Sequence, residues 1–422
     1  MRHLAGRLLT AAALPVTLLA AASPGHAQTE PFAEPAEAAS SWLVAQSDGT
    51  SWNQDPATSL DAILALEAAR VGGDQVEASL GWLNDPAILE PYVNTAADGA
   101  TGFNAGSAGK VMYAVATAGG DPTDFGGVKL AEQVTGAQTA NGTYGDGTAG
   151  STAWAVLGLS RTDTPATEAA AAGLAAIQCP DGGFNYADVD GGDDCVSDPD
   201  TTGLTVSALV ALGAPAAASL ETAVAWLESA QGEDGGFDGG FGANANSTAM
   251  AAQAFLAAGR TDAAERAVAF LLTLQFDCDG AAPGAFMYTD PEDPDFGEAT
   301  RLLATAQAIV PVSGQNLATL DASGAAADVP SDPCAAPAED DATSASADDE
   351  SGSNSWLPWA IVAAVVVIGA LILVFALRAR RGSDAGAAPA DDASAPAGDE
   401  TADGESAADE PQADDSDEGK DK

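Results

Sequence analysis

The chain has 422 residues, 62 of them acidic and 14 basic, for a net charge of −48 at neutral pH. A surface this acidic repels nucleic acid and anionic lipid and favours cations or salty surroundings. The only histidines are His3 and His26 and the four cysteines form no CxxC, so a zinc centre, a Ser-His-Asp triad and a Cys-His pair are all excluded once the leader described next is removed.

Residues 1–27 read as a secretory signal, with Arg2 and Arg7 as the charged start, Leu8 to Ala22 as the apolar run and Gly25-His26-Ala27 as the cleavage site. The mature chain is then expected to begin near Gln28, outside the cytoplasm, where disulfides persist. Cys179, Cys195, Cys278 and Cys334 all lie on that side. Three pairings are possible; proximity favours Cys179 with Cys195 and, by default, Cys278 with Cys334.

From Gln46 onward the sequence repeats. "QSDGTSW", "QTANGTY", "QCPDGGF", "QGEDGGF" and "QFDCDGAAPGAF" begin at Gln46, Gln138, Gln178, Gln231 and Gln275, and a degraded member, "ADGATGF", fills the double gap at Ala97 to Phe103. An amphipathic helix precedes each Gln, and a second, nearly uncharged helix follows each aromatic residue. That second helix opens on hydroxyl or amide side chains, which are N-cap signals, and Gly119, Gly213 and Gly259 are matching stops. A helix apolar all round is buried. Six helix pairs over 28–312 therefore predict an all-α fold, an (α/α)6 toroid with the second helices as an inner ring and the first as an outer one. An open superhelical stack is the rival arrangement.

Within Gln-x-x-Asp-Gly-Gly-aromatic every position has a structural job. The glycines allow positive φ, the Asp bonds turn N–H groups, the aromatic anchors, and the Gln bridges helix end to loop. A catalytic group is needed once, whereas this unit recurs, so it reads as a latch.

Residues 313–355 are Ala, Ser, Pro and Asp, too poor in apolar side chains to fold, and read as an acidic linker. Trp356 to Leu377 gives 22 uncharged residues, about 33 Å of helix, enough to cross a bilayer. Arg378, Arg380 and Arg381 follow, so residues 378–422, a basic stop and an acidic tail, are expected in the cytoplasm and the repeats outside. The lipid bilayer is thus an expected partner, and nucleic acid is not.

The latch segments Gln138 to Tyr144, Gln178 to Phe184 and Gln231 to Phe237, with looser matches from Gln46 and Gln275, resemble the repeats of the squalene cyclase and prenyltransferase superfamily. That resemblance implies an α/α toroid, whose members include cyclases and non-catalytic vitamin B12 carriers of the transcobalamin and intrinsic factor type. A prenyltransferase would need a His for its zinc, which the expected mature chain lacks. For a cyclase, the resemblance points to "DPDTTGL", where Asp198 and Asp200 match two aspartates of the catalytic-acid motif and Thr201 stands in place of the last. The carrier layout of one secreted, disulfide-bonded six-pair toroid fits better, although the chain has no small β domain to close over a ligand. The favoured reading is thus a membrane-anchored, non-catalytic protein that presents a small molecule, such as a corrinoid, to a membrane transporter, with a separate capping domain supplied by a partner. A terpene cyclase-like lyase or isomerase and an adhesive surface module are the alternatives.

Inner-helix N-termini would bring their N–H groups to one mouth of the ring, suited to polar ligands. Tyr144, Trp154, Asp198, Asp200, Phe241, Asn244, Asn246, Tyr288 and Glu298 are the candidates to line it. The loop from Asn185 to Asp200 is longer than its counterparts, and its Asp188, Asp190, Asp193 and Asp194 either offer oxygen ligands to calcium or form a solvated acidic loop pinned by Cys179 and Cys195.

Overall fold

The structure, a computed structural model, describes residues 33–95, 101–187, 190–278, 280–293 and 297–329. The expected signal (1–27), membrane span (356–377), cytoplasmic tail, Asp188 and Cys334 lie outside the described residues. Among the described residues no helix is long and apolar enough to cross a membrane.

The described residues form thirteen α-helices and no strand, with only isolated two-residue bridges. Repeat one gives α1 (Ala33–Ala45) and α2 (Pro56–Ala69); repeat two gives α3 (Gly73–Leu83), α4 (Pro86–Val93) and α5 (Ala105–Thr117); repeat three gives α6 (Leu130–Gly136) and α7 (Ala149–Leu159). Repeats four to six give α8 (Glu168–Ile177) and α9 (Pro199–Leu212), α10 (Ala217–Ala230) and α11 (Ala245–Ala257), and α12 (Thr261–Thr273) and α13 (Gly297–Val312). The count exceeds twelve because the outer helix of repeat two is cut at Asp85-Pro86. Asp85 caps a new helix by accepting from the Ala87 N–H, and Pro86 takes the first helical position, where its missing N–H costs nothing.

The nearly uncharged helices do form the inner ring. Packing runs α2 to α5, α5 to α7, α7 to α9, α9 to α11, α11 to α13, and then α13 back onto α2, which closes the circle. Outer helices lie in the grooves between neighbours: α6 on α5 and α7, α8 on α7 and α9, α10 on α9 and α11, α12 on α11 and α13, and α1 on α13 and α2. The last of these contacts makes the arrangement a toroid rather than an open stack. Five inner helices begin as expected, with Asp55, Asn104, Thr148, Asp198 and Asn244 each accepting from the N–H three residues on. Neighbouring inner helices meet first turn to first turn, with Gly106 beside Ser151 and Asp200 beside Ser247, so their N-termini share one mouth of the ring.

The repeated motif is a latch with two bolts. In the first, the backbone N–H of the aromatic donates to a buried hydroxyl on the following inner helix: Trp52 to Ser59, Tyr144 to Thr152, Phe184 to Thr202, Phe237 to Thr248 and Phe286 to Thr305, all at 2.9–3.0 Å. In the second, the Gln amide donates to the carbonyl of the turn glycine and then to the next outer helix, as Gln231 does to Gly235 and Ala263 and Gln178 does to Gly182 and Ser219. Gln275 carries this across the seam, donating to Gly284 and to Pro35 of α1 at 2.8 Å. The turn glycine is obligatory. Gly235 has φ +92°, and a Cβ there would fall 2.2 Å from the Arg266 carbonyl oxygen of α12; Gly142, Gly182 and Gly284 repeat the contact against α8, α10 and α1.

One difference from expectation lies past Val312. The linker expected from 313 does not begin as free chain, because residues up to 329 pack across the C-terminal ends of α2, α5 and α7. Leu317 and Leu320 are buried, the Tyr113 hydroxyl donates to the Leu317 carbonyl, Arg161 donates to the Leu320 carbonyl at 2.8 Å, and Ala326 exchanges backbone bonds with Arg70 and Gly73. Two buried leucines and these polar bonds to the ring end hold the segment down.

Candidate functional site

The N-terminal mouth concentrates its chemistry at the first turns of α9 and α11. Asp198 is the N-cap of α9, and its Oδ1 accepts from the Thr201 N–H at 2.8 Å. Its Oδ2 is buried with no hydrogen-bond partner. Burial pushes this carboxyl above the usual range, against the pull of the Thr201 N–H.

Asp200, two residues on, is partly buried and aimed at α11, where the Ser247 hydroxyl donates to its Oδ2 at 3.0 Å. Burial first, and then the neighbouring Asp198 charge, push the Asp200 carboxyl up to about 7, while Ser247 pulls it back. A carboxyl placed so keeps its proton close to neutral pH and can donate as well as accept. Tyr288 stands beside it. Burial, then the charges of Asp200 and Asp238, raise its phenol to about 12, so it stays protonated, and its carbonyl accepts the first N–H of α11, from Ala245, at 2.8 Å.

The loop from Asp238 to Ala243 covers this pair. Asp238 holds it by accepting from the N–H groups of Gly240 and Gly242. Gly239 passes so close that an added Cβ would lie 2.3 Å from Ser247 Oγ and 3.3 Å from Asp200 Oδ2. Phe241 at the loop tip is 40% exposed, and Tyr186 and Val196 on the enlarged loop of repeat four are 67% and 71% exposed. A titratable acid thus lies beneath the loop that carries Phe241, and the Tyr186 backbone reaches its neighbour Asp198.

The structure brings together Asp198, Asp200 and Tyr288, with Phe241 on the covering loop. Asn244 is fully buried and spent as a cap, accepting from Ser247 N–H and donating to the Gly242 carbonyl. Asn246 holds the position in α11 that Asp200 holds in α9, and its Oδ1 is buried without a partner. Glu298 is exposed on the first turn of α13. Tyr144 is 2% exposed, being the latch aromatic of repeat three, and Trp154 packs in the ring wall against Tyr113 and under the Lys110 ammonium, which pairs with Asp61 at 2.7 Å. Neither shares the Asp198–Asp200 cluster.

The enlarged loop is pinned as expected by the Cys179–Cys195 disulfide. Cys278 is also disulfide-bonded, and Cys334, its expected partner, lies outside the described residues. Asp181 of the latch adds a second pin, accepting from the Ser197 hydroxyl and from the Trp226 indole of α10. Asp190 accepts from the Gly192 N–H, while Asp193 and Asp194 are exposed. Among the described residues no group of three or more acids, cysteines or histidines is placed to hold a metal ion, and Asp188 lies outside them.

Sequence reasoning missed Ser247, Gly239 and Tyr186. Ser247 carried a signal, since it aligns with Thr201 between repeats; the other two belong to loops whose path no periodicity describes.

Ring closure and paired helices define the class: a single α/α toroid with a polar mouth. No protein-family profile matches the chain, and no curated protein does. Among solved structures it is similar to an ent-copalyl diphosphate synthase from Streptomyces platensis, at 17% identity and a TM-score of 0.40, covering 60% of this chain and 50% of the synthase, so the chain spans about half that enzyme's length. It is also similar to a glycosidase, at 15% identity and a TM-score of 0.48, covering 68% of this chain and 98% of the glycosidase.

Proposed function

We propose that this chain is an exported, membrane-anchored binding protein whose toroid takes up a small molecule, such as a corrinoid, at the mouth around Asp198 and Asp200, and hands it to a transporter or a capping partner. The observation that carries the reading is the Asp200 carboxyl, held close to its titration point between Ser247 and Tyr288 beneath the loop that carries exposed Phe241. Phe241 offers contact area for a ligand body, and the neutral acid and the unpaired oxygens of Asp198 and Asn246 offer it hydrogen bonds. Residues 356–377 would hold the toroid at the membrane.

The same carboxyl favours a second reading. A carboxyl that still carries its proton near neutral pH has one to give to an isoprenoid alkene, with Asp200 as the donor and burial, then the Asp198 charge, keeping it protonated until a substrate enters. Native mass spectrometry of the detergent-purified full chain separates the two. Binding predicts a retained small-molecule mass, or a shift with added cobalamin, that Asp200→Ala loses. Turnover of geranylgeranyl diphosphate that Asp200→Asn abolishes would transfer the site to catalysis. A bare spectrum that cobalamin does not shift, with no turnover, would remove both.

A further inference from the structure

We propose that the opposite mouth of the ring holds a second binding site, for a small organic ammonium ion, with Glu67 as the group that recognises it. Glu67 lies in the last turn of α2, in the wall of a cavity of about 610 Å³ between α2, α3, α5 and the packed segment after α13. It is 2% exposed, and neither of its carboxyl oxygens has a hydrogen-bond partner. Burial holds the carboxyl well above its usual range, with only the charge of Arg161 opposing. That guanidinium is engaged elsewhere, donating to the Tyr113 hydroxyl and the Leu320 carbonyl at 2.8 Å each.

The acid makes no hydrogen bond that holds its helix, and its one charged neighbour, Arg161, is bonded to other groups. Apart from the latch hydroxyl Ser59, the other buried residues of α2 are Leu, Ile and Ala, and an apolar residue would pack at Glu67 without the cost of desolvating a carboxyl. Buried acids with unmade hydrogen bonds mark places where something else completes them. What completes this one follows from the wall. Val71, Leu80, Val115 and Phe125 supply an apolar lining, Glu77 and Asp121 add acid toward the opening, and no lysine or arginine lines the cavity among the described residues. A compact hydrocarbon body carrying an ammonium group matches that lining: its charge would hold Glu67 ionised, the carboxyl proton leaving to solvent as the cation enters, and the acidic rim raises the local concentration of such cations. This site rests on Glu67 and stands independently of the mouth around Asp200.

The probe is cyclohexylammonium chloride, titrated calorimetrically into the detergent-purified full chain, with cyclohexanol as a neutral ligand of the same body. We expect saturable binding of the cation with one site per chain, cyclohexanol at least tenfold weaker, and Glu67→Gln lowering the cation's affinity at least tenfold while melting no lower than the parent. Leu80→Trp, which fills the cavity and leaves the acid, should abolish binding of both ligands and keeps the test decisive if Glu67→Gln does not fold. Unchanged affinity in Glu67→Gln, binding that disappears with added salt but not with either substitution, or no saturable binding by the parent would each overturn the proposal.

Discussion

Asp200 and Glu67 sit at opposite mouths of one ring, and each is a carboxyl kept from ionising chiefly by its surroundings. For Asp200 the stability consequence has a definite sign. Its folded pKa, about 7, lies above the unfolded value, so between about pH 4 and 7 the folded chain binds more protons than the unfolded one. The part of the stability that Asp200 contributes must therefore fall as pH rises through that window and level off above it. Asp200→Asn should abolish this component: in denaturant titrations its advantage over the parent is expected to be small at pH 4.5 and largest at pH 8. An advantage that does not change with pH would mean that the carboxyl is not held neutral. The aspartates themselves were legible, because they open an inner helix with a signature. Their pairing with Ser247 was not, since only the ring brings residues 47 apart in sequence into contact. Glu67 did leave a trace, as a lone acid in the run "LALEAA", but an acid in a helix is so often solvated that composition alone does not mark it as buried.

The latch carries its lesson at the level of elements. Its period, glutamine, glycines and aromatic were all readable, because each repeat meets the same geometric demand. The hydroxyl that receives the aromatic N–H was read only as part of a helix start, and its second role emerges when Ser59, Thr152, Thr202, Thr248 and Thr305 are seen in register. Thr248→Val keeps the shape and leaves the Phe237 N–H buried and unpaired, which should cost about 1–3 kcal/mol in thermal or chemical unfolding. Gly235→Ala should cost at least as much, roughly 1–3 kcal/mol from the left-handed backbone alone, before the clash with the Arg266 carbonyl is counted. If either variant unfolds with the parent, the latch is ornament rather than fastening.

For the whole molecule, the closed ring was legible from six buried helices in alternation, whereas the packed segment after α13 was not. "SGQNLATLDASG" has the composition of a linker, and its two leucines gain their meaning from the ring end beneath them. Burying a leucine contributes about 1.5–3 kcal/mol. A chain ending at residue 329 should therefore outlast one ending at 312 by several kcal/mol in chemical denaturation. Equal stability would show that the segment merely rests on the surface.

Gln275, which donates to Pro35 from 240 residues away, alters how such a chain can come apart. In an open array of repeats the terminal units have one neighbour each, so they fray first and unfolding spreads inward. Here the first and sixth units are neighbours, and the array has no end from which to peel. Opening anywhere must break two interfaces at once, so melting should be a single concerted event, and a permuted chain cut at an exposed loop and rejoined at the seam should close into the same circle.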